Sequence, residues 1–161
     1  MTNNISKNFD ANKANIVFAL GSNLGNREFY LDLAGKLLCQ KLALNNVIIS
    51  SKLANPPLLI ANSPKSWDLE FINLVIAGNI CLENFSPKTI LTTIKEIETM
   101  LARTNTKTWA PRTIDIDILL IKNLTLKDPD LTIPHYDLEN RQFFLQPLTE
   151  IVPNWRELFL R

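Results

Sequence analysis

Apolar residues follow two rhythms along this chain. Compact or alternating runs predict strands, and runs recurring every three or four positions predict helices. Residues 16–20 form a compact apolar run, read as a buried strand. A turn cluster follows, Gly21-Ser22-Asn23-Leu24-Gly25-Asn26. Asn26 is placed to cap a helix carrying Glu28 in its first turn. That helix extends to about residue 43, with Phe29, Leu33, Leu37 and Leu38 as its apolar face. Residues 47–53 predict a second strand, stopped at Asn55-Pro56-Pro57 because proline removes a ladder donor. A long loop, 58–69, leads to a third strand over 71–82. Ser86-Pro87 opens a second helix, with Ser86 as cap and Ile90, Leu91, Ile94, Ile97 and Leu101 facing the core. After a polar loop, 102–112, residues 113–121 predict a fourth strand. A short helix over 140–146 precedes Pro147.

The order is β-α-β-β-α-β, the ferredoxin-like α+β pattern. Both main helices are expected on one face of an antiparallel sheet. Such a fold hosts many functions and by itself selects none.

With 161 residues, the chain suits a single domain, expected over 15–161 behind a loose leader at 1–14. A hydrophobic fraction of 46% is too high for a disordered chain. The formal net charge of +1 counts against a dedicated duplex-DNA binder, which needs a basic stripe. Cys39 and Cys81 lack metal-ligand spacing and read as small packing residues. No apolar run approaches the roughly 20 residues of a membrane span. The polar first 15 residues lack a signal-peptide core. The expectation is a cytoplasmic protein with no membrane or nucleic-acid partner.

The chemistry concentrates in Pro111-Arg112-Thr113-Ile114-Asp115-Ile116-Asp117. In a strand, Asp115 and Asp117 share one face, about 6.6 Å apart. Ile114, Ile116 and Ile118 take the other face, toward the core. Two adjacent acids repel unless a cation lies between them. A divalent metal, or two about 3.5–4 Å apart, meets that need. Arg112 stands where it could clamp a phosphate bridging such metals. The competing reading is a solvated edge-strand face.

Other candidates are less specific. Gly21 to Gly25 is too loose to be a phosphate cradle and reads as an ordinary tight turn. His135, the single histidine, follows Pro134 in a loop beyond the Asp strand, as a phosphate donor or a proton carrier. Arg141 opens the last helix and could hold a second phosphate. Trp109 lies in a polar loop, as a lid or an anchor. No G-x-x-x-x-G-K-[ST] motif is present, so any nucleotide is held without a P-loop.

The Asp strand, followed by Pro134-His135-Tyr136 and Asn140-Arg141, strongly resembles the 6-hydroxymethyl-7,8-dihydropterin pyrophosphokinases. Gly21-Ser22-Asn23-Leu24, Pro56-Pro57-Leu58 and Asn73 fit the same family in order. The resemblance covers about residues 16–153. It implies transfer of pyrophosphate from ATP to the pterin hydroxymethyl group, with release of AMP, in folate biosynthesis. It implies two Mg²⁺ ions on Asp115 and Asp117, and phosphate contacts from Arg103 and Arg112. His135, Tyr136 and Arg141 match ATP-binding positions, Glu98 a position near the nucleotide, and Trp109 a mobile catalytic loop over 103–111. The pterin is expected between Phe71 and Phe143, paired with Asn73, with further contacts around Asn55, Pro56 and Leu58. The resemblance also implies a monomer, or a module fused to or associated with dihydropteroate synthase.

Some positions depart from that pattern. The loop 103–109 is one residue short, with Asn105 and Lys107 where some members carry arginines, and Asp130 replaces a basic residue. Two other classes compete. One is a different two-metal phosphoryl or nucleotidyl transferase on the same sheet. The other is a non-catalytic nucleic-acid or protein-binding module, which predicts exposed aromatics on the sheet and a basic surface.

Overall fold

A computed structural model describes residues 10–104 and 109–160. Its elements are β1 (Ile16–Ser22), α1 (Arg27–Lys41), β2 (Asn45–Ile49), β3 (Leu53–Asn55), β4 (Phe71–Asn79), α2 (Pro87–Met100), β5 (Asp115–Ile121), β6 (Leu126–Asp128), β7 (Leu131–Ile133), α3 (Gln142–Ile151) and α4 (Trp155–Phe159). The main sheet runs β5-β1-β4, with β2 and β3 end to end along the far edge of β4. Every pairing is antiparallel. This is the ferredoxin-like α+β arrangement expected from the pattern.

All seven residues of β1 are buried, because both faces of the sheet are covered. Ile16, Phe18 and Leu20 pack with α1 and α2 on one side. Val17 and Ala19 pack with α3 and α4 on the other, around Phe144, Leu148, Trp155 and Phe159. Leu119 is the extra residue of a bulge opposite Val17 and Phe18. Both Leu119 and Leu120 therefore join the α3/α4 layer, while Ile118 and Ile121 join the α1/α2 layer. The helix starts behave as read: Asn26 accepts from the Phe29 N–H, and Ser86 accepts from the Thr89 N–H.

Several local expectations change. The second strand splits into β2 and β3, because Ser50 turns its hydroxyl onto the Val75 N–H and Ser51 is held by Glu150 of α3. β4 ends at Asn79, short of residue 82, and Cys81 lies exposed in the following turn rather than packed. α1 buries Leu31, Ala34, Gly35 and Leu38 rather than the face centred on Phe29, which is exposed. Small Ala34 and Gly35 let the helix approach the sheet, with Gly35 against Ile76. α3 runs through Pro147 to Ile151. In the second turn a proline frees one carbonyl only, and Pro147 is buried in the core. The leader boundary also moves for the described residues. Asp10 exchanges hydrogen bonds with Asn46, residues Ala11–Lys13 form a short 3-10 turn, and Ala14 is fully buried. No helix among the described residues is long and apolar enough to cross a membrane.

Candidate active site

Strand alternation and register build the floor of one cavity. On the α3/α4 face, β4 presents Phe71 and Asn73, β1 presents Ala19 and Gly21, and β5 presents Asp115 and Asp117. Gly21 pairs with Asn73 on one side and Asp115 on the other; Ala19 pairs with Val75 and Asp117. The central strand thus carries two small residues between an amide on one flank and two acids on the other. A cavity of about 320 Å³ lies above this floor. Its walls come from Asn55 and Leu58, from Trp109 and Arg112, from His135 and Tyr136, and from Arg141 and Phe143 at the start of α3.

The β5 flank is densely charged. Asp115 accepts from Arg103 Nη1 at 2.7 Å and from Arg112 Nη1 at 3.0 Å, one guanidinium per carboxylate oxygen. Behind them Glu98 is buried at 3% exposure. It accepts from Arg103 and from the Ile116 N–H at 3.0 Å, and Lys95 lies 3.4 Å away. Burial opposes the Arg103 charge, but Asp115 and Glu98 outweigh it and hold the guanidinium more firmly protonated. Among the described residues Asp117 has no comparable partner. Burial first, then the charge of Asp115, pushes its carboxyl up to about 7. A carboxyl set against burial and a second carboxylate is a ready cation ligand.

His135 faces Asp117, with Nε2 3.9 Å from Oδ1, beyond hydrogen-bond reach. Burial and the nearby Arg141 push the imidazole down to about 4, so it is neutral at pH 7. Its Nδ1 accepts from the Asp137 N–H at 3.1 Å, which assigns the proton to Nε2. Arg141 is anchored to Asp137 at 2.8 Å and lies over Tyr136, Phe143 and Phe144, 5.3–5.9 Å from the ring centres. Tyr136, 70% exposed, stacks on His135.

The β4 flank is neutral. Asn73 is buried and donates to the Asn55 side chain. Asn55 in turn donates to the Pro56 carbonyl at 2.8 Å. Phe71 and Phe143 are half-buried and line the cavity.

All the candidates named from sequence line this cavity except Glu98, which stands behind Arg103, and Pro56, whose side chain is exposed outside it. Asn105 and Lys107 lie outside the described residues, as does most of the loop between Arg103 and Trp109. Sequence reading did not name Ala19, Leu20, Lys95 or Phe144 as site residues, and it took Gly21 for part of a tight turn rather than of β1; all five line the cavity. It also missed Asn23, which is buried and accepts from the Arg112 N–H at 2.9 Å. The Asn23 amide donates to the Leu69 carbonyl at 3.2 Å, so it joins the approaches to both flanks. Lys95 was detectable as the i−3 neighbour of Glu98 on one helix face. Ala19 was hidden because a small residue carries no chemical signal of its own, and Gly21 was drawn into the turn by the glycine, serine and asparagine that follow it.

Among the described residues no cluster of three or more His, Cys, Asp or Glu forms a metal cage. The donors facing the cavity are the two carboxylates. That set fits Mg²⁺, which takes one or two carboxylates and completes its octahedron with phosphate oxygens and water.

A family model described as 7,8-dihydro-6-hydroxymethylpterin-pyrophosphokinase (HPPK) matches residues 17–153. A 2-amino-4-hydroxy-6-hydroxymethyldihydropteridine pyrophosphokinase of Aquifex aeolicus is 34% identical over 145 residues, 88% of this chain and 82% of that protein. A folate synthesis bifunctional protein of Chlamydia caviae is 39% identical over 139 residues, 86% of this chain. This chain spans only 30% of that bifunctional relative's length. A wild-type Plasmodium falciparum HPPK-DHPS solved with pterin and p-hydroxybenzoate aligns over 92% of this chain and 41% of that one, with a TM-score of 0.57 at 18% identity. That structural likeness concerns the fold; the sequence matches carry the assignment. The chain belongs to the 7,8-dihydro-6-hydroxymethylpterin pyrophosphokinase family.

Proposed function

We propose that this domain transfers the terminal diphosphate of ATP to the hydroxymethyl group of 6-hydroxymethyl-7,8-dihydropterin, releasing AMP, in folate biosynthesis. One observation carries the reading: a single cavity joins a neutral flank suited to a flat heterocycle with a charged flank suited to a polyphosphate.

On the neutral flank, Phe71 and Phe143 stack on the pterin, and Asn73 pairs with its polar edge, steadied by Asn55. Leu58 and the backbone near Pro56 close that end. On the charged flank, Asp115 and Asp117 would hold two Mg²⁺, which neutralise the polyphosphate and the departing AMP. Arg103 and Arg112, which both pair with Asp115, turn their remaining donors to the phosphates. His135 donates its Nε2–H to a phosphate oxygen, and Arg141 and Tyr136 hold the nucleotide. Trp109 covers the junction between the flanks. Glu98 keeps Arg103 in place from behind. The pterin hydroxyl oxygen bonds to the β-phosphorus and gives up its proton to solvent, while the bridge to the α-phosphate breaks and AMP carries away the electron pair. Such transfer is mostly positioning and charge neutralisation, which these residues supply.

The rival binding-module reading needs an open sheet with exposed aromatics. Here both sheet faces are covered by helices outside the cavity. A cytoplasmic location belongs to the same proposal, in keeping with two free cysteines. So does operation as a module of a larger folate-synthesis polypeptide, in keeping with the bifunctional relatives.

Incubation with ATP, Mg²⁺ and the pterin, followed by chromatography and mass spectrometry, tests the reading. AMP should appear one-for-one with a pterin heavier by two phosphate groups. ADP with a singly phosphorylated pterin would make the protein an ordinary kinase. Absence of pterin-dependent turnover would overturn the assignment.

A further inference from the structure

We propose that Gly21 is a positioning residue of the pterin site, because only a residue without a side chain leaves room for the Asn73 amide beside β1. The inference rests on the functional reading above.

Gly21 belongs by sequence to a turn cluster, where glycine normally serves backbone conformation. The structure gives it a different setting. Gly21 lies inside β1, paired on both sides. Its φ lies outside the left-handed region, unlike that of Gly25, whose φ is +71°. No turn requires glycine here, and glycine weakens a strand interior.

Space is the remaining reason. A Cβ at position 21 would lie 2.6 Å from Asn73 Oδ1 and 3.5 Å from Phe71 Cδ1. Real Cβ atoms do not approach oxygen so closely. At Gly35 and Gly78 the nearest atoms would stand at 3.3 and 3.4 Å, distances that small shifts relieve. Asn73 Oδ1 is the end of a side chain and yields by turning away, but the side chain is buried and that movement takes its amide from Asn55. The three nearest atoms are all on the β4 flank, and none belongs to Asp115 on the other side. An added methyl group therefore displaces the amide and leaves the phosphate half as it was. The missing side chain at 21 and the amide at 73 form one unit.

The test is a double-mutant cycle read by calorimetry, with 6-hydroxymethylpterin and with a non-hydrolysable ATP analogue plus Mg²⁺. The proteins are wild type, Gly21→Ala, Asn73→Ala and the pair combined. Gly21→Ala should weaken pterin binding by roughly five- to hundredfold, the range for a buried hydrogen bond left unmade. Nucleotide affinity should stay within about twofold. In the Asn73→Ala background the added methyl meets no oxygen, so it should cost nothing further. Unchanged pterin binding by Gly21→Ala, or an equal loss in both backgrounds, overturns the inference. If Gly21→Ala alone fails to fold, recovery of folding in the double variant supports the clash, and failure of both overturns it. Absence of pterin binding by the wild type would defeat the functional reading itself, and the inference with it.

Discussion

The two flanks of the cavity rest on the same central strand yet are built by opposite means. On the β5 side, Glu98, Arg103, Asp115 and Arg112 form a continuous chain of charge-assisted hydrogen bonds. On the β4 side, two asparagines and two phenylalanines offer no formal charge. Each design suits its proposed ligand. A polyphosphate is recognised by cations whose positions are set by counter-charges. A flat heterocycle is recognised by shape, stacking and a few fixed polar atoms. The charged flank is prestressed, since burial and the charge of Asp115 both work against the ionised form of Asp117. The neutral flank is only preorganised.

The acids of the charged flank are not equivalent, and separating them gives the largest expected effects. Asp115→Ala and Asp117→Ala should each abolish turnover, measured by AMP release. Their melting temperatures without metal should move in opposite directions. Losing Asp115 takes from Arg112 the carboxylate it pairs with and leaves Arg103 to Glu98, so Asp115→Ala should melt lower. Losing Asp117 removes repulsion, so Asp117→Ala should melt higher. Equal shifts of the same sign would contradict the asymmetry. Next comes Glu98→Ala, which leaves Arg103 and the Ile116 N–H without their buried acceptor. It should cost roughly 3 kcal/mol in denaturant unfolding, typical of breaking a buried pair. A cost near zero would mean that Glu98 is not a structural anchor.

Proton linkage separates the flank's two titrating groups with smaller effects. Asp117 has a raised native value, about 7 against 3.8. The native state therefore binds its proton more tightly, and this group's contribution to stability falls as pH rises from about 4 to 7. His135 has a lowered native value, about 4 against 6.5, so its contribution rises with pH over that window. The two slopes oppose each other in the wild type. Without metal, Asp117→Asn should melt higher than wild type at pH 8, with the gap closing toward pH 4. His135→Gln should show its advantage only below pH 6.5. Parallel melting curves at every pH would contradict these environments.

Legibility in the sequence followed the same division. The charged flank could be read directly, because Asp115 and Asp117 two apart in a β-branched run reveal their shared face, and Arg112 adjoins them. Chemistry and strand period sufficed for those three, whereas Arg103 and Glu98 were named only through the family resemblance. The β-α-β-β-α-β order was equally open, since Asn26 and Ser86-Pro87 mark the helix starts. The neutral flank depended on register. Nothing local to Gly21 shows that Asn73 lies opposite it, because that pairing spans 52 positions. The burial of Asn23 is likewise a tertiary fact, made by Arg112 and Leu69 closing on it. α1 was misread by rotation because its buried face uses Ala34 and Gly35, which carry little hydrophobic signal. α3 was cut short at Pro147 by a rule that holds for helix interiors more strictly than for a second turn.

In this account of the cavity, the two flanks divide the ligands between them. Calorimetry of Phe71→Ala and Arg112→Ala, each with the pterin and with a non-hydrolysable ATP analogue plus Mg²⁺, tests it most directly. Phe71→Ala should lose about 1–3 kcal/mol toward the pterin, by analogy with base–aromatic stacking, and almost nothing toward the nucleotide. Arg112→Ala should show the reverse pattern. Loss of both ligands to a similar degree in both variants would contradict the division and place these side chains in a common scaffold.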